Sequence, residues 1–431
     1  MRISTAQIFD TGTSSIQRNQ LGLYKLQNQM STGRRVLTPQ DDPVAAAQAL
    51  MVTQSNDVVT QYAENQGAAK SQLGVVENNL SAITDLIQNV RERVIQGTST
   101  TIGDNERGYI ASELQSRLNE LVGLANAEDG TGQFLFSGYQ GATRPFAVDA
   151  STAPVAPANQ APYAYYGDDG ERRLQLSGSR QMPVNVSGAD LLMNIRSGNG
   201  TFTTSVGSNS GGGINQGSGT IDAGSVMNPT SWTAAVNTYG SFYIEFSSPG
   251  PTAALGYTIY DGVGNALSGP FDYAAGQAIS LQDGSGSLGA QVVVSGTPAA
   301  GDRFTVAPSS NQSLFKTIQN LIGALQTPVG TATFTTTEFL NRMGAEITNL
   351  DRSLDNISRI RADVGSRLQE VTSLNNSAED AKLQYAETLS GLQDLDFTAA
   401  ISDFTRQQVQ LEAAQKSYVQ VRDLSLFSYL R

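Results

Sequence analysis

Apolar residues recur every seven positions near both ends of this chain, and that spacing constrains the fold more than any other feature of the sequence. A seven-residue repeat places its members along one face of an α-helix, where they pack against a second helix. The outermost repeats are Phe9, Ile16, Leu23 and Met30 at the start of the chain and Phe397, Phe404, Leu411 and Tyr418 at its end. We therefore predict one helix over residues 3–30 and another over 394–431.

Both outer repeats are thin. The alternate core positions carry Gly12 and Asn19 in the first helix and glutamines in the last, where a stable coiled coil carries leucine. A helix with so narrow an apolar stripe is marginal on its own in water. We expect residues 1–30 and 397–431 to be mobile in the free chain and to fold when neighbouring copies supply the missing apolar surface.

Stronger repeats lie inside the weak ones. Their members are Leu73, Leu80, Ile87 and Val94 in the first half of the chain and Met343, Leu350, Ile357, Val364 and Val371 in the second. These repeats predict long helices over 44–97 and 336–389, with shorter helices over 106–127 and 312–325. Because the blocks are nested, we expect the two strong helices to pair with each other and the two end helices to do the same.

Between residues 133 and 310 the pattern changes to glycine, serine, threonine and tyrosine with short alternating apolar runs, which is typical of β-strands. The predicted strands are 134–136, 163–166, 172–176, 183–186, 241–246, 256–260, 278–281, 290–294 and 303–306. Asp168, Asp169 and Gly170 favour a hairpin turn between two of them. We predict a short helix over 189–195 and a glycine- and serine-rich loop or linker over 197–219.

The predicted fold class is therefore α+β and multidomain: a nested helical coiled-coil rod from both chain ends, with β-rich domains inserted. The terminal coiled-coil domain would comprise 1–42 and 394–431, and the helical rod domain 43–132 and 311–393. The first β-rich domain would comprise 133–196 and the second 197–310.

The stretch from 31 to 50 predicts a stiff elbow between two helices. Gly33 suits the left-handed position that ends a helix, because it has no side chain to clash there. Asp42 followed by Pro43 predicts a helix start, since the carboxylate can cap free amides and proline fits the first helical position. Arg34 and Arg35 lie between these two signals. We expect them to pair with carboxylates of neighbouring copies, such as Asp41, Asp42 or those within 394–403.

Composition excludes several classes of chemistry. The 431 residues include no cysteine and no histidine, and the net charge is −12. Disulfides, thiolate metal sites, the usual zinc sites and histidine-dependent nucleophiles are all excluded. The acidic balance argues against a nucleic-acid or membrane-surface partner. The first ten residues lack the apolar run of a cleaved signal peptide. We expect a protein that is not an enzyme, with no cofactor and no metal.

Three motifs could bind a ligand, but each is better explained by local structure. Residues 284–289 match a dinucleotide-binding glycine pattern, but a predicted strand follows, which favours a hairpin. Residues 261–265 place oxygens near a possible cation, yet they favour a turn. An aromatic set could form a sugar-binding platform, but as predicted strand residues they favour a core position. That set comprises Trp232, Tyr239, Phe242 and Tyr243.

The two chain ends resemble the flagellin superfamily. The residues that carry the resemblance in the elbow are Ser31, Thr32, Gly33, Arg35, Asp41, Asp42 and Pro43. At the other end the resemblance rests on 389–397, on 424–426 and on the final leucine and arginine. Residues 132–138, 145–146 and 295–306 are similar to segments of the hook-associated members of the family rather than of its filament subunits.

This resemblance implies a structural flagellar protein, outside the cell at the hook–filament junction, that forms an adaptor ring joining hook to filament. It also implies export without a cleaved signal peptide. The implied partners are further copies in a ring, flagellin, a neighbouring hook-associated protein and an export chaperone that binds the C-terminal helix. We expect the subunit interface to comprise the eight outer-repeat residues together with Arg34, Arg35, Asp41, Asp42, Leu424 and Leu426. Two alternatives stay open: a filament subunit, and a surface adhesin with a glycan-binding module on a coiled-coil stalk.

Overall fold

The heptad repeats form helices close to the positions that the sequence predicts. A computed structural model of the chain describes residues 5–99, 101–149, 161–248, 250–252, 254–331 and 334–423. Its α-helices are α1 (Thr5–Thr32), α2 (Pro43–Gly97), α3 (Asp104–Ala125), α4 (Pro229–Tyr239), α5 (Leu314–Gln326), α6 (Thr336–Gln393) and α7 (Phe397–Asp423). The expected short helix over 189–195 is a π-helical turn, Ala189–Met193.

Short strands occupy the middle of the chain. They are β1 (Phe146–Val148), β2 (Tyr163–Tyr165), β3 (Arg173–Ser177), β4 (Arg180–Pro183), β5 (Ile195–Arg196), β6 (Phe202–Val206), β7 (Thr220–Ile221), β8 (Ser225–Val226), β9 (Phe242–Ser247), β10 (Gly256–Asp261), β11 (Ala266–Asp272), β12 (Ala278–Asp283), β13 (Gly286–Ser295), β14 (Arg303–Pro308) and β15 (Asn311–Gln312). Helical regions at both ends therefore flank a β-rich middle, as the predicted fold class requires. Within the described residues no helix is both long and apolar enough to cross a bilayer.

Contacts between residues divide the chain into two compact units. The terminal unit comprises Met1–Gly67, Leu176–Ser179 and Thr372–Arg431, and the mixed unit comprises Ala68–Gln175 and Arg180–Val371. The division falls inside α2 and α6. The four-domain division made from the sequence stays a prediction.

The strong heptads form the helical core of the mixed unit. Leu73, Leu80, Ile87 and Val94 of α2 are fully buried, as are all five repeat residues of α6. Burying one such side chain contributes about 1.5–3 kcal/mol. Arg361 occupies an inner heptad position of α6 and bonds to Glu77 of α2 through its guanidinium at 2.6 Å. An ion pair between the helices thus fills the one charged position of this seam.

The first β-rich region differs from the prediction in three places. Residues 134–136 form a turn rather than a strand, and the strand expected at 183–186 ends at Pro183, which has no N–H to continue a ladder. Asp168 and its neighbours do not form a hairpin, because β2 pairs with β1 while β3 pairs with β4. The Asp168 carboxylate instead accepts hydrogen bonds from the amides of Tyr139 and Gly170, at 2.7 and 2.8 Å.

The second β-rich region contains two sheets. One has the order β11-β10-β9-β14-β6, and the other has the order β12-β13-β7 with β8 paired to β13. The interpretation of 197–219 as a loop or linker was wrong, because β6 lies inside it and Phe202 is fully buried there. The interpretation of Trp232 as a strand residue was also wrong. It lies on α4, and its ring packs against Phe202 with centroids 5.1 Å apart.

We expect Phe202→Ala to destabilise the second β-rich region by about 3–5 kcal/mol, because it leaves a cavity beside Trp232. The midpoint of urea unfolding, followed by the fluorescence of this single tryptophan, measures the loss. Val263→Ala is the control, since Val263 is 88% exposed in the β10–β11 turn. It should change stability by less than about 0.5 kcal/mol. A Phe202→Ala midpoint equal to that of Val263→Ala would contradict the assignment.

Candidate functional site

The two outer heptad helices pack against each other in the terminal unit. The rings of Phe9 and Tyr418 meet edge to face with centroids 5.8 Å apart. Further along the pair, Gly22 of α1 approaches Gln407, and Gly33 approaches the ring of Phe397. Since the start of α1 contacts the end of α7, the two helices run antiparallel. The expected pairing of the chain ends is confirmed over the described residues.

Gly12 leaves room for a side chain of α7. A Cβ atom built on Gly12 would lie 2.9 Å from ring atom Cδ2 of Tyr418, closer than carbon atoms pack. The sequence had marked Gly12 as a weak core position. It is instead the hole into which the Tyr418 ring fits, which is a tertiary feature that no single-sequence signal reveals.

The seam between α1 and α7 is incomplete within one chain. Its residues are only half-buried, and these are Phe9, Ile16, Leu23, Met30, Phe404, Leu411 and Tyr418. Phe397 is 50% exposed. The inner repeat of α2, by contrast, is fully buried. Leu424 and Leu426, which we also expected at the interface, lie outside the described residues.

Further large apolar side chains are exposed on all four helices that contribute to the terminal unit, α1, α2, α6 and α7. Large apolar side chains of the terminal unit that are more than 40% exposed include Leu21, Tyr24, Val44, Leu50, Met51, Val58, Leu383, Phe397, Ile401, Val409 and Val419. Single exposed apolar residues are common on protein surfaces, but a contiguous set usually marks an interaction site.

The elbow has the local chemistry that the sequence predicts. Gly33 adopts a φ of +69°, in the left-handed region, directly after α1 ends. Asp42 Oδ1 accepts a hydrogen bond from the amide of Ala45 at 3.0 Å, so it caps the first turn of α2. This amide bond is the largest cause of the lowered pKa of the Asp42 carboxyl. The sequence-predicted helix start at Pro43 is confirmed.

The elbow is also tied to the start of α7, which the sequence did not predict. The amide of Arg35 donates to the carbonyl of Gln393 at 2.7 Å, and the amide of Leu395 donates to the carbonyl of Gly33 at 2.9 Å. Arg34 and Asp394 form an antiparallel bridge between these segments. The two connections, 33–42 and 394–396, thus hold each other through backbone hydrogen bonds.

The two arginines have different surroundings. The Arg35 guanidinium bonds to Asp42 Oδ2 at 3.2 Å and to the carbonyl of Leu392 at 3.0 Å, within one chain. We had expected such pairing between copies. The exposed guanidinium of Arg34 has no ion pair with any described residue, so of the two arginines it is the one available to another molecule.

Asp41 organises the loop before the cap. Its Oδ1 pairs with the ammonium of Lys25 at 2.7 Å, and its Oδ2 accepts from the amides of Leu37 and Thr38 at 3.2 and 2.9 Å. The Lys25 contact, followed by the Thr38 amide, lowers the pKa of Asp41 to about 2. Lys25 and the buried Gln29, whose side chain donates to the carbonyl of Arg35, were missed from the sequence. Neither residue is part of a motif.

The motifs that suggested ligand chemistry have other roles. Residues 284–289 form the β12–β13 hairpin, where Asp283 pairs with Gly286. The Asp261 carboxylate accepts from the amides of three residues in its own turn. Tyr243 is sandwiched between Tyr260, stacked at 4.9 Å, and the Arg303 guanidinium at 4.8 Å, so neither ring face is free for a sugar. Among the described residues no group of acidic side chains could hold a metal ion.

Comparisons with known proteins match both the ends and the whole of the chain. Sequence models of the bacterial flagellin N-terminal and C-terminal helical regions match residues 3–141 and 347–430. The chain is 25% identical over 431 residues to flagellar hook-associated protein 3 of Salmonella typhimurium, and the match covers 100% of both chains. Flagellin of Escherichia coli is 31% identical over 122 residues, which is 27% of this chain and 24% of that flagellin.

A solved structure supports the same likeness in three dimensions. The crystal structure of the flagellar junction protein FlgL from Legionella pneumophila matches with a TM-score of 0.68 and 26% sequence identity. The match covers 80% of this chain and 100% of that one. The similarity therefore includes the β-rich middle as well as the helices.

We expect Gly12→Ala to weaken the pairing of α1 with α7, because the added methyl group collides with the Tyr418 ring. Hydrogen exchange of amides in both helices should become faster. Gly67→Ala is the matched control, since nothing lies within 4 Å of a Cβ at Gly67 in the same unit. That control should stabilise α2 by about 0.5–1 kcal/mol. Slower exchange in Gly12→Ala would contradict the close fit.

The Asp41 carboxyl should titrate with a midpoint of about 2, below its ordinary 3.8. Because this pKa is lowered in the folded chain, its contribution to stability is fully present above pH 3.8 and is lost as the pH falls through about 2. Carbon-13 NMR of the labelled carboxyl, assigned by its loss in Asp41→Asn, measures the midpoint. Lys25→Met should raise it. An unchanged midpoint in Lys25→Met would show that the ion pair is not its cause.

Proposed function

The chain belongs to the flagellin superfamily, and on that premise we propose that it is a structural subunit of the bacterial flagellum at the junction of hook and filament. The observation that carries the proposal is the match to hook-associated protein 3 over the whole length of both chains. The match to flagellin of Escherichia coli covers only about a quarter of each chain. A filament subunit is therefore the less favoured interpretation.

The incomplete seam supports a role that depends on assembly. One chain leaves the residues between α1 and α7 half-buried and leaves further large apolar side chains of the terminal unit exposed. Further copies placed side by side in a ring would cover both. The apolar area that the copies remove from water would offset the entropy lost when the chain ends are ordered. Limited proteolysis of the free monomer should accordingly cut α1 and α7 first.

The partners follow from this position in the flagellum. Another hook-associated protein would lie on the hook side of the ring and flagellin on the filament side. An export chaperone would cover the C-terminal helix before secretion, because that helix exposes Phe397, Ile401 and Val409. The assembled protein lies outside the cell. Its work is mechanical, since it joins two kinds of subunit and transmits torque between them, and it catalyses no reaction.

The interface would use the seam and the elbow together. The seam residues would pack against neighbouring copies through their exposed edges. The free guanidinium of Arg34 would pair with a carboxylate of the next copy, while Arg35, Asp41 and Asp42 hold the elbow in shape. Leu424 and Leu426 stay predicted interface residues, and they lie outside the described residues.

A complementation experiment tests the proposal. Deleting the gene should leave hooks in place without filaments, with flagellin released into the medium. The wild-type gene should restore filaments, while Leu411→Gln and Arg35→Glu should not. Leu411→Gln places a polar group in the seam, and Arg35→Glu repels Asp42. Electron microscopy of the cells and immunoblots of flagellin in the medium measure both outcomes.

Two variants control for general effects of substitution. Glu412→Gln changes the exposed neighbour of Leu411, and Lys416→Glu reverses an exposed charge on the same helix. Both should restore filaments. The near-ultraviolet spectrum of Trp232 should be unchanged in all four proteins, because the β-rich middle is untouched. Attached filaments in the deletion strain would refute the junction role.

A further inference from the structure

The second β-rich region has an apolar core of its own. The residues of that core run from Phe202 to Val306 and include Trp232, Phe242 and Phe304. No described residue of α5 or α6 belongs to it. We call residues 198–309 the inserted module. Its hydrophobic stabilisation is therefore independent of the helices beside it.

The first β-rich region is attached differently. Phe315 of α5 packs against Phe146 with ring centroids 5.3 Å apart and against Tyr163 with centroids 4.9 Å apart. These three rings join the first region to the helices through apolar contact. Opening this joint would expose aromatic surface to water, which is costly.

The inserted module is connected to the helices by two segments of chain that lie next to each other. The entering strand β5 pairs with the leaving strand β15, with Ile195 opposite Gln312. Two residues further on, the Ser197 hydroxyl donates to the carbonyl of Ser310 at 2.9 Å, and the Ser309 hydroxyl donates to the carbonyl of Ser197 at 2.8 Å. The two connections to the module are thus held side by side by hydrogen bonds alone.

Polar side chains of α6 hold the module on the helix. Asn349 Oδ1 accepts from the amide of Gly198 at 2.7 Å, and Asn341 Oδ1 accepts from the amide of Ile221 at 2.9 Å. Asn341 also donates to the carbonyl of Gly219 at 3.1 Å. These are bonds from side chains to module backbone. A cleft of about 510 Å³, lined by Val206 of β6 together with residues of α5 and α6, separates the module from the helices alongside.

Glu346 bonds both to Asn349, which contacts the chain entering the module, and to Gln312, which lies on the strand leaving it. Its Oε2 accepts from Asn349 Nδ2 at 3.0 Å and from Gln312 Nε2 at 2.9 Å. Its Oε1 accepts from Asn320 Nδ2 at 2.6 Å. An ionised carboxylate only accepts, so it fixes which end of each amide faces it. Asn349 must therefore turn its oxygen towards Gly198, and Gln312 is held at the leaving strand.

We propose that Glu346 is the positioning residue of a polar joint, by which we mean the hydrogen bonds that hold the inserted module against α6. These bonds can break while the module stays folded. The carboxylate holds the entering connection through Asn349 and the leaving connection through Gln312. Since no shared apolar core opposes it, the module can leave its place on α6 as a folded body when these bonds break together with those of Asn341 and of Arg352, whose guanidinium donates to the carbonyl of Gly198. Water can replace side-chain hydrogen bonds at little net cost, whereas it cannot replace an apolar core. The joint is a property of the isolated chain and does not depend on the proposed flagellar role.

Because the chain has no cysteine, two introduced cysteines can be labelled specifically in the full-length protein. Nitroxide labels on Val263→Cys, at the exposed tip of the module, and on Ser358→Cys, on the exposed side of α6, report the distance between module and helix. Pulsed electron paramagnetic resonance should give one narrow distance distribution for the parent protein. Glu346→Gln should broaden it, because the new amide presents a donor where three donors already converge. The Trp232 spectrum should stay unchanged.

Glu338→Gln is the matched control. Glu338 lies on the same helix and lines the same cleft, but its carboxylate pairs with Arg342 at 2.8 Å and has no bond to the module. Its distribution should stay narrow. Asn349→Ala is the second variant, and it should broaden the distribution and speed exchange of the Gly198 amide about two- to tenfold, as the loss of one neutral hydrogen bond predicts.

Three results would overturn the proposal. The first is a narrow distribution in both Glu346→Gln and Asn349→Ala, which would mean that other contacts seat the module. The second is equal broadening in Glu338→Gln, which would remove the special role of Glu346. The third is loss of the Trp232 spectrum in Glu346→Gln, which would mean that the module core depends on the joint.

Discussion

The half-buried seam between α1 and α7 is the constraint on which the interpretation of this chain depends. A heptad helix pair stabilises itself by removing apolar side chains from water, and the inner pair of α2 and α6 does so completely. The outer pair does not, since its repeat residues are only half-buried within one chain. In the proposed ring, neighbouring copies would cover the exposed edges of this pair. This incompleteness suits the proposed role as one subunit of a ring.

The elbow fixes the directions of the helices that form the incomplete pair. Capping by Asp42 and the left-handed turn at Gly33 set the directions of α1 and α2 through local chemistry. Backbone hydrogen bonds between the elbow and the start of α7 then place the last helix beside the first. Arg35 and Asp42 add an ion pair that is half-exposed, so its contribution is small and its main effect is to fix geometry. The direction of the outer helix pair is thus set by contacts within one chain.

The two β-rich regions differ in the type of contact that joins them to the helices. Aromatic rings around Phe315 attach the first, and amide side chains of α6 attach the second. Apolar contacts resist opening because water cannot replace them, while hydrogen bonds to backbone exchange readily with water. One chain therefore combines a firmly attached region with a module whose seat depends on a few polar side chains.

Much of the helical structure could be predicted from the sequence, because heptad spacing, capping and glycine conformation are local properties. The bounds of α1, α2, α5 and α6, the cap at Asp42 and the turn at Gly33 all follow from residues close together in the chain. The β-rich middle was predicted less well. Phe202 lies in a glycine- and serine-rich stretch and Trp232 on a short helix, and both are buried by strands distant in sequence.

The site divides in the same way. The sequence by itself determined which residues form the outer stripe and where the elbow turns. Only the tertiary structure decided that Gly12 admits Tyr418, that Lys25 pairs with Asp41, and that Glu346 of α6 accepts a hydrogen bond from Gln312 of β15. These contacts join residues far apart in the chain, so their formation depends on how the helices and strands pack, and no local preference encodes that.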